Sequence, residues 1–354
     1  MRILWLSPAL RAPARVAAEA LRERGVDVML VTANLDIGMG SDKAREYETV
    51  LRGRAIPTAD WLPVLKAYRA AKRFEPDVVV TELIRDPRWR VFARLAPRLR
   101  VVHDDRPHDD EHRESFLVRT LINGWDEKTA DATLVFSNYV AESLRRRDAK
   151  SPIYVAPLRG DLEASLVPEL VPPGDRKNFV MLGRQMPYKN HAVVFAAWEA
   201  HVRGSAYRGD ELIIHGGGEI PLPLPPRARW QRGNFKYLDV VGELGRAKGS
   251  FVHYTAGASQ SGVQVLSMQL GVPTLVSEAG ALPEYQAPGL SVTGIDDVHG
   301  LASAIDALAD PAEVGRQSEI ALANYRSHFD TRHFASRMVE IFECVVGGTS
   351  KQSG

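Results

Sequence analysis

The sequence is short of cysteine, of any excess of one charge and of long apolar runs. Each shortage removes a class of protein. The single cysteine, Cys344, excludes an internal disulfide framework and a cysteine-based zinc site. Its neighbours Phe342, Val345 and Val346 mark a late amphipathic segment, so a buried structural thiol is expected. Lysine and arginine number 45 against 44 aspartates and glutamates, a formal charge of +1. That balance offers no electrostatic footprint for nucleic acid. No apolar run approaches the length that spans a bilayer. The opening Met1-Arg2-Ile3-Leu4-Trp5-Leu6-Ser7 is too short for a secretory leader and reads as a buried first strand. A cytoplasmic protein is expected.

What is present is 354 residues, 45% hydrophobic and 25% charged, enough for two ordinary domains with a large core. Short apolar runs alternate with helical periods. The first half predicts strands at 3–7, 26–32, 77–81, 99–103, 133–137 and 153–157, with helices at 14–24, 61–74, 111–128 and 140–147. Residues 34–54 are polar and weakly periodic and predict a long loop. Residues 158–177 break the pattern, and Val171-Pro172-Pro173-Gly174-Asp175 has the composition of a linker. Alternation then resumes with strands at 179–182, 211–215, 250–253 and 274–276. A last helix at 329–346 precedes a frayed tail. This is the pattern of an α/β protein with two doubly wound, Rossmann-like domains. The boundaries read 1–160, a linker at 161–177, 178–330, and a terminal segment at 331–354. Ligands of such folds bind at the carboxyl ends of the strands, so a central cleft faced by both sheets is the expected site.

Four stretches carry candidate chemistry. Gly183-Arg184-Gln185-Met186-Pro187-Tyr188-Lys189-Asn190 lies between a strand and a helix. Its two cations suit a diphosphate, Arg184 as a fork and Lys189 as a point charge. A solvated loop with a surface ion pair has the same composition. His215-Gly216-Gly217-Gly218-Glu219 closes another strand, where glycines permit close backbone approach or a plain turn. The polar cluster from His103 and Asp104 to His112 follows the strand ending at Val101-Val102. A histidine there can donate to a hydroxyl or a developing charge. The same residues can open a helix or hold a divalent metal, although their spacing fits no specific zinc pattern.

The fourth stretch is Ser259–Glu284. Ser261 and Gly262 read as a helix start, Val263, Leu266 and Leu270 recur at helical spacing, and Gly271 and Pro273 read as its end. The loop Ala279-Gly280-Ala281 follows a short strand, so backbone donors can gather around an anion. Two further basic features stand apart. Arg11 can reach an anionic group or lie on the surface. The run Arg145-Arg146-Arg147 offers a weak peripheral contact with an anionic membrane, or a solvated helix face, which the following Asp148 favours.

Leu266-Ser267-Met268-Gln269-Leu270-Gly271-Val272-Pro273 and Ala279-Gly280-Ala281-Leu282-Pro283-Glu284 together resemble the donor-site signature of the retaining "group 1", family 4-like, nucleotide-sugar glycosyltransferases, of fold type GT-B. That family's pattern is E-G-F-G-x4-E-A-M-A-x-G-x-P followed by G-G-x-P-E. Its G-R-x4-K-N matches Gly183 to Asn190. The resemblance implies sugar transfer with retention from a nucleotide diphosphate sugar to a polysaccharide, a glycolipid, lipid-linked or small-molecule acceptor. It implies no cofactor and no metal, because Arg184 and Lys189 meet the diphosphate charge. His103 would lie near the donor sugar, completing a catalytic set with Arg184 and Lys189. Gly183, Gly216, Gly218, Ser259, Gly262, Ser267, Gly280, Ala281 and Glu284 would bind the donor, and Arg11 and Asp104 would face the acceptor. The terminal helix would cross back to the first domain.

This sequence departs from the family at Ser259 and Ser267, where both glutamates of the E-x7-E motif are replaced. A serine offers one neutral hydroxyl where a carboxylate accepts two charge-assisted bonds, a loss of about 2–4 kcal/mol in donor binding unless another group substitutes. Ala281 also replaces a glycine, and Ser7–Pro13 lacks the family's Gly-Gly loop. A rival reading follows: a GT-B protein that binds nucleotide or glycan as a scaffold, without turnover. A second is an epimerase-like or phosphorylase enzyme on the same fold.

Overall fold

The computed structural model describes residues 1–33, 43–52, 61–84, 86–104, 128–147, 151–160, 162–255 and 257–350. The chain divides into two compact units, Met1–Arg159 with Thr331–Gly354, and Gly160–Asp330.

The first unit is built on a seven-stranded sheet in the order β3-β2-β1-β4-β5-β6-β7, every pair parallel. Its strands are β1 (Arg2–Ser7), β2 (Asp27–Ala33), β3 (Glu48–Leu51), β4 (Val78–Glu82), β5 (Arg98–Val101), β6 (Ala132–Val135) and β7 (Ile153–Val155). The central strands are apolar on both faces because helices cover both, as parallel sheets require. Helix α1 (Arg11–Glu23) ends just before Gly25, whose φ of +78° suits a left-handed terminus. Helix α2 (Trp61–Phe74) packs Val64, Ala67 and Ala71 inward, and α3 (Asn138–Arg145) is capped by the Ser137 hydroxyl on Val140 N–H.

The second unit has a six-stranded sheet in the order β10-β9-β8-β11-β12-β13, again parallel throughout. It comprises β8 (Phe179–Leu182), β9 (Leu212–His215), β10 (Ala228–Gln231), β11 (Gly249–Val252), β12 (Thr274–Ser277) and β13 (Val292–Thr293). Its helices are α4 (His191–Arg203), α5 (Tyr237–Gly245), α6 (Gly262–Gln269), α7 (Leu282–Tyr285), α8 (Val298–Ala307) and α9 (Pro311–Asn324). The final helix, α10 (Thr331–Ser350), belongs to the first unit and packs against α1, burying Phe334, Met338, Ile341 and Phe342.

Both sheets share one winding order, with a switch point between β1 and β4 in one and between β8 and β11 in the other. Crevices at the carboxyl ends of such strand pairs are where ligands of open α/β sheets bind.

Several expectations are corrected. The span 34–54 is not all loop, because Glu48–Leu51 forms β3 on the sheet edge. Strands β10 and β13 fall where none was expected. Cys344 is exposed on α10 rather than buried, since the helix buries its neighbours Phe342 and Val345 instead. The expected helix at 111–128 falls almost wholly on residues 105–127, outside the described residues.

Candidate functional site

The switch point of the second sheet is occupied by the turn between β8 and α4. Gly183 turns the chain with φ +104°, and Asn190 caps α4 at φ 51°. Around this turn the protein builds a dense polar scaffold. The Gln185 amide donates to the carbonyls of Gly183 at 2.8 Å and His215 at 3.1 Å, and its oxygen faces His191 Nε2 at 3.0 Å. Asn190 donates to Ile295 O at 2.7 Å and lies 3.2 Å from His253 Nδ1. Burial holds both His191 and His253 down at about 4, so at neutral pH they are uncharged hydrogen-bonding groups.

Within this scaffold Lys189 is 2% exposed. Its ammonium donates to Leu182 O at 2.8 Å and to the Tyr254 hydroxyl at 3.1 Å. It also lies over the Tyr254 ring, 4.6 Å from the centroid. Among the described residues no carboxylate pairs with it. Burial pushes the amine down to about 8, and the only charge effect that opposes this comes from Tyr188. A Cβ added at Gly183 would sit 3.3 Å from this nitrogen, so the glycine leaves the approach to the ammonium uncovered. Tyr254 stacks edge-on against Tyr188, and its hydroxyl lies 3.4 Å from Ser261 Oγ. Ser261 in turn caps α6 by accepting from Gln264 N–H at 3.2 Å. Lys189, Tyr254 and the start of α6, with Gly262, are thus one connected group. Arg184 is exposed on the same turn.

Other expected donor residues have different duties. Gly216 and Gly218, at φ 131° and 118°, make room for the neighbouring turn. Their Cβ positions would lie 1.9 Å from Gly183 O and 2.1 Å from Gln185 O. Gln185 N–H donates to Gly217 O at 2.7 Å, prolonging the β8–β9 pairing past the strand ends. Gly280, at φ 57°, lets its loop pack onto Ala258. Ala281 N–H donates to Ala258 O at 2.7 Å. Ala281 itself adopts ordinary helical angles, so its side chain costs nothing there. Ser267 is fully buried, and its hydroxyl donates to Val263 O at 2.8 Å, one turn back in the helix. It therefore offers no group to a ribose. Ser259 is buried at 1% exposure, and Glu284 is exposed on α7.

A groove that no local pattern announces lies between α5 and the strands β9 and β10. It has a volume of about 790 Å³ and is lined by Ile213, His215, Gln231, Asn234, Phe235 and Glu243 among others. His215 bonds Glu243, and Arg229 donates to the same carboxylate at 2.6 Å.

In the first unit, the β1–β4 switch point holds Glu82, which is fully buried. His103 Nε2 bonds it at 2.8 Å and Trp5 Nε1 donates to it at 3.1 Å. The Arg159 guanidinium lies 3.9 Å away, over the rings of Trp5 and Phe334. These bonds hold the Glu82 carboxyl at about 2 against its burial. His103 thus has a fixed orientation at the end of β5. Asp104 is half-buried beside it in sequence. Residues 105–112 of the expected cluster lie outside the described residues. Arg11 is not exposed. It is buried in a pair with Glu48, Nε to Oε1 at 2.7 Å, which Arg15 shares at 2.6 Å and Thr32 at 2.7 Å. The alternative of a surface arginine is corrected accordingly.

Residues 14–159 match Glycosyltransferase Family 4. The fold resembles sucrose-phosphate synthase from Thermosynechococcus elongatus, with a TM-score of 0.70, 17% identity, and 98% of this chain and 100% of that one covered. It also resembles Anabaena HepE, solved with UDP and glucose, with a TM-score of 0.68, 15% identity, and 97% and 100% of the two chains covered. Trehalose 6-phosphate synthase from Burkholderia multivorans gives a TM-score of 0.65 at 13% identity, covering 100% of this chain and 98% of that one. The protein therefore has the GT-B fold seen in these glycosyltransferases, and its residues 14–159 resemble Glycosyltransferase Family 4.

Proposed function

We propose that this protein transfers a glycosyl group, with retention, from a nucleoside diphosphate sugar to an acceptor hydroxyl. The observation that carries this reading is the buried Lys189 ammonium without a carboxylate. A charge withdrawn from water is tolerated when a counter-charge meets it, and a diphosphate supplies one. Arg184 on the same turn adds a fork for phosphate oxygens. The groove at His215 has the size of a nucleoside site, and the carbonyl of His215 is bonded by Gln185 of the turn.

In this reading the glycosidic bond to the diphosphate breaks as negative charge grows on its terminal phosphate. Lys189 and Arg184 stabilise that charge, which lowers the barrier to departure. Retention rests on the match of Gly183–Asn190 and Ala279–Glu284 to the retaining family's motifs. Assay against a panel of radiolabelled nucleotide sugars tests the proposal. Transfer or slow hydrolysis of one donor, lost in Arg184→Ala and Lys189→Ala, is expected. NMR of the product should show the donor's anomeric configuration. Tight nucleotide binding that ignores both substitutions would overturn the site assignment. One observation favours a binding protein without turnover: the Ser267 hydroxyl is committed to Val263 O where the family carries a carboxylate. Nucleotide binding with no hydrolysis or transfer across the panel would decide for it.

A further inference from the structure

Helix α2 presents an unusual outer face. Its buried side holds Val64, Ala67 and Ala71. The opposite side exposes Trp61 at 42%, Leu62 at 75% and Leu65 at 42%. Exposed Lys66, Arg69, Lys72 and Arg73 continue the same face toward the other end. At 3.6 residues per turn these seven side chains form one stripe, apolar at its start and basic along its length. The helix carries no acidic residue, and none of its four cations makes an ion pair or hydrogen bond among the described residues.

We infer that α2 is a docking surface for an anionic lipid bilayer. Large apolar side chains standing in water are costly, and a soluble domain rarely groups three of them without a partner. Tryptophan sits well at the membrane–water interface, and leucines beside it reach the acyl boundary. The unpaired cations complement phosphate headgroups, while their long stems lie along the apolar surface. The protein's overall charge is only +1, so this attraction is local to the helix. The triple-arginine run, which was the sequence-based candidate for membrane contact, lacks these properties. Arg146 pairs with Glu142, and no large apolar side chain is exposed on α3. The inference is independent of the donor-site reading.

Vesicle co-sedimentation tests it, with vesicles of phosphatidylcholine alone or with roughly one-third phosphatidylglycerol. The wild type should bind the anionic vesicles and not the neutral ones, with binding weakened by salt. Each cation near such a surface contributes about a fivefold gain in partitioning, so Lys66→Glu with Arg69→Glu should reduce binding by about twentyfold or more. Leu62→Ser, which changes no charge, should also reduce it, through loss of apolar insertion alone. Vesicles should also shift tryptophan emission to the blue, and the shift should vanish in Trp61→Phe. Unchanged melting temperatures will show that these surface variants are folded. Equal binding to neutral and anionic vesicles, no binding to either, or variants that bind like the wild type would overturn the inference. So would a wild-type dimer in solution that Leu62→Ser converts to monomer, since a second copy would then be the occupant.

Discussion

Glu82 ends β4 and Lys189 lies in the turn after β8, each beside the switch point of its own sheet, and both are buried charges. Their surroundings differ. Glu82 is answered within its own unit by His103, Trp5 and a nearby Arg159. Among the described residues Lys189 is answered by a carbonyl and a phenol and by no carboxylate. Within the second unit Lys248 makes the same point, because its ammonium meets the Asp210 carboxylate at 2.7 Å. The chain is therefore able to neutralise a buried lysine and does not do so at position 189. An internally matched charge is architecture, whereas the unmatched one at position 189 is what the proposed diphosphate site rests on.

Breaking the matched charges should produce the largest effects. Lys248→Met leaves Asp210 buried without its counter-charge, holding only the bond from Asn178 N–H, and should destabilise the protein by about 3–5 kcal/mol in denaturant melts. Glu82→Gln should also destabilise. With Glu82 held at about 2, below its unfolded value of about 4.3, its contribution is present above pH ~4.3 and lost as pH falls toward 2. The wild type should therefore lose, in that acid window, an advantage over Glu82→Gln that it holds at neutral pH.

Lysine 189 should show the opposite dependence. Its folded value near 8 lies below the unfolded value of about 10.4, so burial disfavours the folded protein below pH ~8. That penalty fades as pH rises from about 8 to about 10.4. Nucleoside diphosphate affinity, read by calorimetry, should instead weaken as pH rises through about 8, because the neutral amine has no charge to offer.

A smaller effect should come from Tyr254→Phe, which removes one acceptor from the ammonium and the link to Ser261. A hydrogen bond to a charged group contributes about 1.5–3 kcal/mol, so diphosphate binding should weaken by roughly tenfold or somewhat more while the fold persists. Ser267→Ala should change donor binding by less than about twofold, because its hydroxyl is already bonded in the helix. A large loss there would mean that the serine does replace the family's glutamate.

Much of the fold was legible because the inner strands and helices carry strong local patterns. Residues 61–74 and 179–182 were read to the residue. Strands β3, β10 and β13 were missed, and all three lie at sheet edges. Edge strands are short and admit polar residues such as Glu48 and Gln231, so no apolar run announces them. At the site, the turn from Gly183 to Asn190 was legible from its cations and glycine. Tyr254, Gln185 and Glu82 were not, because their roles arise only when the topology sets strand ends side by side. Arg11 was misread for the same reason: its partner Glu48 lies 37 positions away, on an edge strand no pattern reveals.

The most direct test is thermal unfolding of wild type and Lys189→Met, each with and without UDP. An unmatched buried charge predicts that the ligand-free variant melts no lower than the wild type, and that UDP raises the melting temperature of the wild type alone. A variant that is less stable without ligand, yet stabilised by UDP as much as the wild type, would contradict the account.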